Sequence, residues 1–191
     1  MKKQFMLTAA LVAALGTFQS CSKDDNKTTT TPAVTLYSRV GGTELVTDPK
    51  NSGIMIEKGR LTLRAVVDSS INVIAADAQL AKYFPVLFAE LGNGNTTGLT
   101  ALSENFTDFM CAATGSTNTN YAYSGKNMKD AHDPAKNSRI AVKINKADFD
   151  KFVGDIGEGL AKNGVTASNS KQLVDDLVAL LYTTQSDIVQ Q

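Results

Sequence analysis

The chain of 191 residues contains no tryptophan, one histidine and two cysteines, and its 19 basic and 19 acidic side chains give zero net charge. With Cys21 and Cys111 as the only cysteines, a disulfide framework is excluded. A structural zinc ion takes about four ligands, which a single imidazole and two distant thiols do not supply. Zero net charge offers no electrostatic footprint for nucleic acid. These absences argue against a disulfide scaffold, a zinc module and a nucleic-acid-binding domain.

Long apolar runs are also scarce, and the longest occupies residues 5–18, after two lysines. This layout is typical of a secretory signal, and the run is shorter than the roughly 20 apolar residues that span a bilayer. The low-complexity stretch NKTTTTPAV then indicates a flexible tether. The sequence therefore predicts a signal peptide over residues 1–20, a cysteine and tether over residues 21–34, and one domain over residues 35–191.

The stretch FQSC resembles a bacterial lipobox in which Phe18 replaces the usual leucine. The resemblance implies that Cys21 is lipidated and becomes the mature N-terminus. The following CSKDDNK resembles the acidic stretch of bacterial surface lipoproteins. We therefore expect a membrane-anchored lipoprotein on the periplasmic or cell-surface face of the outer membrane. An ordinary cleaved signal with an incidental cysteine is the alternative.

Helical periodicity dominates the predicted domain, in which apolar residues recur every three to four positions. The four clearest segments are residues 63–77, 99–113, 145–164 and 170–184. Asn145 fits an N-cap and Gly164 fits a helix stop. A strand pattern competes only in residues 47–63, whose assignment stays open, and residues 90–98 are predicted as a loop. The fold class is therefore all-α, with about four long helices and several short ones.

Several residues within these helices have expected structural roles. Each of three glycines in the third helix costs about 1 kcal/mol of helix propensity relative to alanine, which close helix packing would explain. They are Gly154, Gly157 and Gly159. The paired carboxylates, Asp148 with Asp150 and Asp175 with Asp176, are expected on solvated faces. Cys111 is expected to be a small buried apolar residue.

The single histidine, His132, ends a stretch that predicts a short helix opening at Gly125 and closed by Pro134. Met128 and His132 are spaced i, i+4 and share one helical face. One ring nitrogen can donate to a backbone carbonyl one turn back, such as that of Met128, which leaves the other nitrogen for a metal. Haem iron suits a lone imidazole because the porphyrin supplies four nitrogens. Without further motifs, such a histidine is more often a surface or structural residue.

Six motifs occur in order along the domain: TLYSRVGG, LRAVVDSSINVIAADAQLAKYF, FMCAATGS, YSGKNMKDAH, KADFDKFV and TTQSDIV. Together they resemble the truncated haemoglobins of the first group, over most of residues 35–189. The resemblance implies an all-α, globin-like fold, the two-over-two helical sandwich of a truncated globin. It also implies non-covalently bound haem b as the cofactor and the diatomic gases oxygen, carbon monoxide and nitric oxide as ligands.

The resemblance assigns site roles to individual residues. His132 matches the proximal axial ligand of the haem iron, Lys126 a basic partner of a haem propionate, and Met128 an apolar residue that packs on the proximal side of the ring. Phe84 matches a phenylalanine stacked near the porphyrin. The inner face of the distal helix is matched by Leu102, Phe106 and Phe109.

Two departures change the expected ligand chemistry. The family usually has a tyrosine where this chain has Ile71 and often a glutamine where it has Leu102, and both polar side chains hydrogen-bond the oxygen ligand. Loss of a bond worth about 1.5–3 kcal/mol lowers oxygen affinity by roughly tenfold to a hundredfold. We therefore expect ligand binding rather than catalysis, and no efficient nitric oxide dioxygenation. Inserted segments are also expected after Gly42 and after His132.

Two other interpretations stay open. The protein is a surface lipoprotein that captures or carries haem, or it is a globin-like interaction module that has lost haem. The distal position is also open to a slip of one residue, which would present Ser70 or Asn72 in place of Ile71.

Overall fold

The structure, a computed structural model, describes residues 34–191, so the predicted signal peptide, Cys21 and nearly all of the tether lie outside the described residues. The long helices are α2 (Lys58–Ala76), α5 (Thr97–Thr114), α7 (Lys146–Lys162) and α8 (Ala167–Tyr182). The short helices are α1 (Leu36–Arg39), α3 (Ala78–Ala81), α4 (Pro85–Gly92), α6 (Met128–Ala131) and α9 (Gln185–Ile188). Over residues 34–191, no helix combines the length and the apolar character needed to cross a membrane.

The core lies where α2 packs between α5 and α7, and α8 closes it against α7 and α5. The apolar face predicted for α2 is buried along its length, at Leu63, Val66, Val67, Ser70, Ile71 and Ile74. Phe149 of α7 and Cys111 of α5 lie at the centre, with 1% and 0% exposure. Burial raises the pKa of the Cys111 thiol to about 11, so it is a neutral apolar residue, as expected. The all-α prediction with four long helices is confirmed.

Helices α2 and α7 approach most closely at Gly159 and Ser70. A Cβ atom added at Gly159 would lie 3.0 Å from the Cα and Cβ atoms of Ser70 and closer still to its Oγ. The Ser70 hydroxyl donates to the Val66 carbonyl at 2.8 Å and is fully buried. Added Cβ atoms at Gly154 and Gly157 would meet nothing within 4 Å. Close packing therefore explains only one of the three glycines.

The segment with the open assignment forms a β-hairpin before α2. Strands β1 (Leu45–Asp48) and β2 (Asn51–Glu57) pair antiparallel, with Leu45 opposite Glu57. Glu57 is buried and its carboxylate accepts from the Tyr37 hydroxyl at 2.6 Å, which ties the hairpin to α1. The segment expected as an insertion after Gly42 therefore forms this hairpin.

Two predicted boundaries were wrong. The loop predicted over residues 90–98 is shorter, because α4 continues to Gly92 and α5 begins at Thr97. The short helix before His132 begins at Met128 rather than near Gly125. Its start is fixed by the side chain of Asn127, which accepts from the Asp130 amide at 2.8 Å.

Asp148 was expected on a solvated face, and this prediction was wrong, because its side chain is buried with 3% exposure. Its carboxylate accepts from Gln79 at 2.6 Å, from Lys82 at 2.9 Å and from the Tyr83 hydroxyl. Burial alone would raise its pKa, but these donors outweigh burial and lower the pKa of Asp148 to about 2. The carboxylate therefore joins α3 to the start of α7.

Candidate functional site

His132 is the C-cap of the one-turn helix α6, and its ring is partly buried. Its Nδ1 atom lies 2.8 Å from the Met128 carbonyl oxygen. A carbonyl only accepts, so Nδ1 carries the proton and donates. In the neutral ring, Nε2 is then unprotonated and keeps a lone pair. The local geometry expected from the i, i+4 spacing is therefore present, and Nε2 can act as a ligand atom.

Burial lowers the pKa of His132 below its ordinary value of 6.5, and the hydrogen bond to Met128 opposes this shift without reversing it. A buried imidazolium loses hydration that a single carbonyl does not replace. The ring is therefore neutral at pH 7, the protonation state in which Nε2 can bind a metal.

The loop before α6 is held by Tyr123. Its hydroxyl donates to the Lys126 carbonyl at 2.5 Å, and its ring meets that of Phe109 edge-on at a centroid distance of 6.0 Å. The loop is thereby joined to α5. No role was predicted for Tyr123, although its place at the start of the YSGKNMKDAH motif was a usable signal.

The side of helix α5 that packs on the core includes three of the predicted contact residues. Met110 is buried, and Leu102, Phe106 and Phe109 are partly buried against the core. The other fully buried positions of α5 are Thr107, Cys111 and Thr114. Leu102, Phe106 and Phe109 thus form a partly buried apolar strip along one side of the helix.

Aromatic contacts extend this strip beyond α5. The Phe106 ring lies 6.1 Å from that of Phe152 on α7, which is also partly buried. Phe84, the N-cap of α4, and Met128 of α6 are partly buried and pack against the same core. One physical character is shared by five of the predicted contact residues, which are apolar and partly buried against the core: Phe84, Leu102, Phe106, Phe109 and Met128.

Ile71 of α2 is buried with 8% exposure. A slip of one residue would present Ser70 or Asn72 instead, but both have other surroundings. Ser70 faces Gly159, and Asn72 is an exposed residue of the groove between α2 and α7. Of these three positions, only Ile71 carries a side chain that is both apolar and buried. Lys126 is exposed and forms no ion pair with any residue in the described range.

The segment after His132 is tied back to the helices by Arg139. Its guanidinium makes a two-pronged ion pair with Glu90 of α4, at 2.8 and 2.6 Å. The pair covers Gly98 near the start of α5, where an added Cβ would collide with both charged groups. The segment expected as an insertion after His132 therefore lies between α6 and α7 and is bonded to α4 through Arg139.

A bare metal ion does not fit this site. Across residues 34–191, no three histidine, cysteine, aspartate or glutamate side chains group together in a way that could hold a metal ion. His132 offers one nitrogen, and the strip on α5 offers only apolar side chains. The donor set therefore suits a metal that arrives with most of its ligands already in place.

No protein-family model matches the sequence, and no curated protein matches it either. Solved structures do match, among them two variants of a truncated haemoglobin from Tetrahymena pyriformis in the Fe(III) form. Each is 20% identical to this chain, with a TM-score of 0.56, and the match covers 82% of this chain and 99% of that one. At this identity the likeness defines the fold. The chain has a truncated-globin fold, and the predicted globin-like class is confirmed.

Proposed function

We propose that the protein binds haem b non-covalently through Nε2 of His132 and that it reversibly binds diatomic gases. The observation that carries the proposal is the neutral imidazole, oriented by the Met128 carbonyl, in a domain of truncated-globin fold. The haem, when bound, supplies the iron centre at which a gas ligand binds. The residues present fit this group, because one nitrogen donor and apolar walls are what a porphyrin needs from the protein.

Each predicted site residue then has a defined task. His132 stays neutral and keeps its ring fixed through Nδ1. Met128 and Phe84 supply apolar packing against the ring. The exposed ammonium of Lys126 is free to pair with a propionate, a contact worth at most about 1 kcal/mol at a wet edge.

The gas-binding face proposed here is apolar. It is formed by Ile71 and by the half-exposed side chains of α5, Leu102, Phe106 and Phe109. None of these side chains donates a hydrogen bond, so oxygen gains no stabilisation from them, whereas carbon monoxide and nitric oxide need it less. We therefore propose a gas-binding role without an enzymatic step.

Haemin titration of the purified full-length protein tests the proposal. We expect one equivalent of haem to be taken up and to stay with the protein through gel filtration. His132→Ala should lose the axial histidine signature, and added imidazole should restore it. Lys126→Ala is the matched control, which should keep the signature and lose haem only slightly faster. An unchanged spectrum in His132→Ala would remove the proposed axial bond.

A haem-carrier role is the second candidate, and the half-exposed lining favours it. A porphyrin ring packed against partly buried side chains such as Phe84, Phe106 and Phe109 loses less buried apolar surface on release than a ring in a closed core. Mixing the haem-loaded protein with excess apomyoglobin distinguishes the two roles. Transfer within minutes supports carriage, and retention over many hours supports gas binding. A folded protein that takes up no haem points to an interaction module.

We propose further that Cys21 carries the lipid that anchors the domain to the outer membrane, on its periplasmic or cell-surface face. The proposal rests on the N-terminal sequence alone. Incorporation of labelled palmitate into the wild type and into Cys111→Ser, but not into Cys21→Ser, would support it. Equal labelling of all three proteins would contradict it.

A further inference from the structure

The position of α6 is not determined by α6 itself. The helix has four residues, Met128–Ala131, and none of them is buried. A single turn is unfavourable on its own, because nucleation fixes several residues for one hydrogen bond. Its carbonyls also lack partners within the helix. The direction in which His132 points therefore depends on groups from elsewhere in the chain.

The last residues of the chain return to this helix as an extended strap, which we define as residues 189–191. Val189 forms an isolated parallel bridge with Ile144, and the Gln190 amide donates to the Ile144 carbonyl at 3.0 Å. The side chain of Gln191 donates to the Lys143 carbonyl at 2.6 Å. Ile188, just before the strap, is buried in the core. The strap is thus fixed along the segment that leads into α7.

From this fixed strap, one side chain reaches α6. Nε2 of Gln190 donates to the Lys129 carbonyl at 2.8 Å. The same carbonyl accepts from the backbone amide of His132 at 3.3 Å. From the other side, Nδ2 of Asn137 donates to the Ala131 carbonyl at 2.7 Å. Together with the His132 ring on Met128, these bonds give three carbonyls of α6 a partner outside the helix.

We propose that Gln190 is a positioning residue for His132. Gln190 fixes the Lys129 carbonyl, which accepts from the His132 backbone amide, and so it holds the backbone of His132 in place. The bond from Nδ1 to the Met128 carbonyl then sets the orientation of the imidazole ring. The inference rests on the proposed function, in which Nε2 of His132 is the axial ligand. Groups that hold a metal-bound histidine in place contribute to metal affinity although they never touch the metal.

Gln190→Leu is the informative change, because leucine keeps the size and removes the donor. The Lys129 carbonyl retains the His132 amide, and the second acceptor of Gln190 Nε2, at 3.1 Å, is the carbonyl of the exposed Asp187, so no buried group loses its only partner. In the ferrous haem-loaded full-length protein, the iron–histidine stretching band should shift or broaden. Haem should pass to excess apomyoglobin about three- to tenfold faster, as expected for the loss of one hydrogen bond. Gln190→Lys, which keeps an N–H donor of sufficient reach, should restore most of both properties.

Gln191→Leu is the matched control, since it removes the neighbouring amide that bonds Lys143 and not α6. It should leave the iron–histidine band and haem transfer at wild-type values, and both variants should unfold at similar temperatures. Identical behaviour of Gln190→Leu and Gln191→Leu would overturn the positioning role while leaving the proposed function intact. A wild-type protein that takes up no haem would instead overturn the proposed function, and this inference with it.

Discussion

The contact between α2 and α7 predicts that Gly159→Ala destabilises the domain by about 1–3 kcal/mol. The new Cβ would lie 3.0 Å from the Cα and Cβ atoms of Ser70, closer than van der Waals contact allows. Overpacking of this kind costs about 1–3 kcal/mol. Turning the Ser70 hydroxyl away would break its bond to Val66, for about 1 kcal/mol more. Better helix propensity recovers about 1 kcal/mol, so the net effect stays destabilising.

Urea unfolding followed by circular dichroism measures this free energy. Gly154→Ala makes the same change in the same helix where nothing lies within 4 Å, and it should stabilise the domain by about 1 kcal/mol. The double variant Ser70→Ala/Gly159→Ala should recover part of the loss, which a double-mutant cycle quantifies. Equal stability of Gly159→Ala and Gly154→Ala would show that the helices are further apart. The assignment of Ile71 to the site would then lose its support.

Three further predictions concern charge, pH and ligand preference. Asp148→Asn should cost about 3 kcal/mol in urea unfolding at pH 7, because Lys82 and the buried hydroxyl of Tyr83 lose the buried carboxylate to which they donate. Because the pKa of Asp148 is lowered from 3.8 to about 2, its contribution to the free energy of unfolding is present above pH 3.8 and is lost as pH falls towards 2. An acid transition of Asp148→Asn identical to that of the wild type would contradict this prediction. Burial lowers the pKa of His132 from 6.5. The neutral ring therefore stabilises the haem-free fold above pH 6.5, and this contribution to the free energy of unfolding is lost as pH falls through the folded-state pKa. His132→Phe should lack that slope in unfolding titrations. Leu102→Gln should raise oxygen affinity relative to carbon monoxide by about tenfold in equilibrium binding, and an unchanged ratio would show that residue 102 does not face the gas.

The four long helices were predictable because their apolar residues repeat with the helical period and their caps are local signals. Asn145 is an example, since its side chain accepts from the Asp148 amide at 2.9 Å as the sequence indicated. The burial of Asp148 was not predictable, because three of its side-chain donors, Gln79, Lys82 and Tyr83, are more than 60 positions away in sequence. The secondary structure of residues 47–63 could not be assigned from the sequence, because strand β2 is exposed over most of its length and its apolar and polar residues alternate only weakly.

The candidate site divides in the same way. The bond from the His132 ring to Met128 follows from i, i+4 spacing and was predictable. The half-exposure of Phe106 and Phe109 was not, because periodicity marks an apolar face and not what covers it. Gln190 carried no sequence signal at all, since its partner, the Lys129 carbonyl, is a backbone group 61 positions away. Such contacts arise only from tertiary packing.

The most direct test of the account is the absorption spectrum of the reduced, haem-loaded protein before and after carbon monoxide. The account predicts a histidine-ligated ferrous spectrum that changes to a six-coordinate carbon monoxide form. In His132→Ala, the ferrous spectrum should lose the histidine-ligated form. A protein that elutes colourless after haemin treatment, or a ferrous spectrum that is identical in His132→Ala, would contradict it.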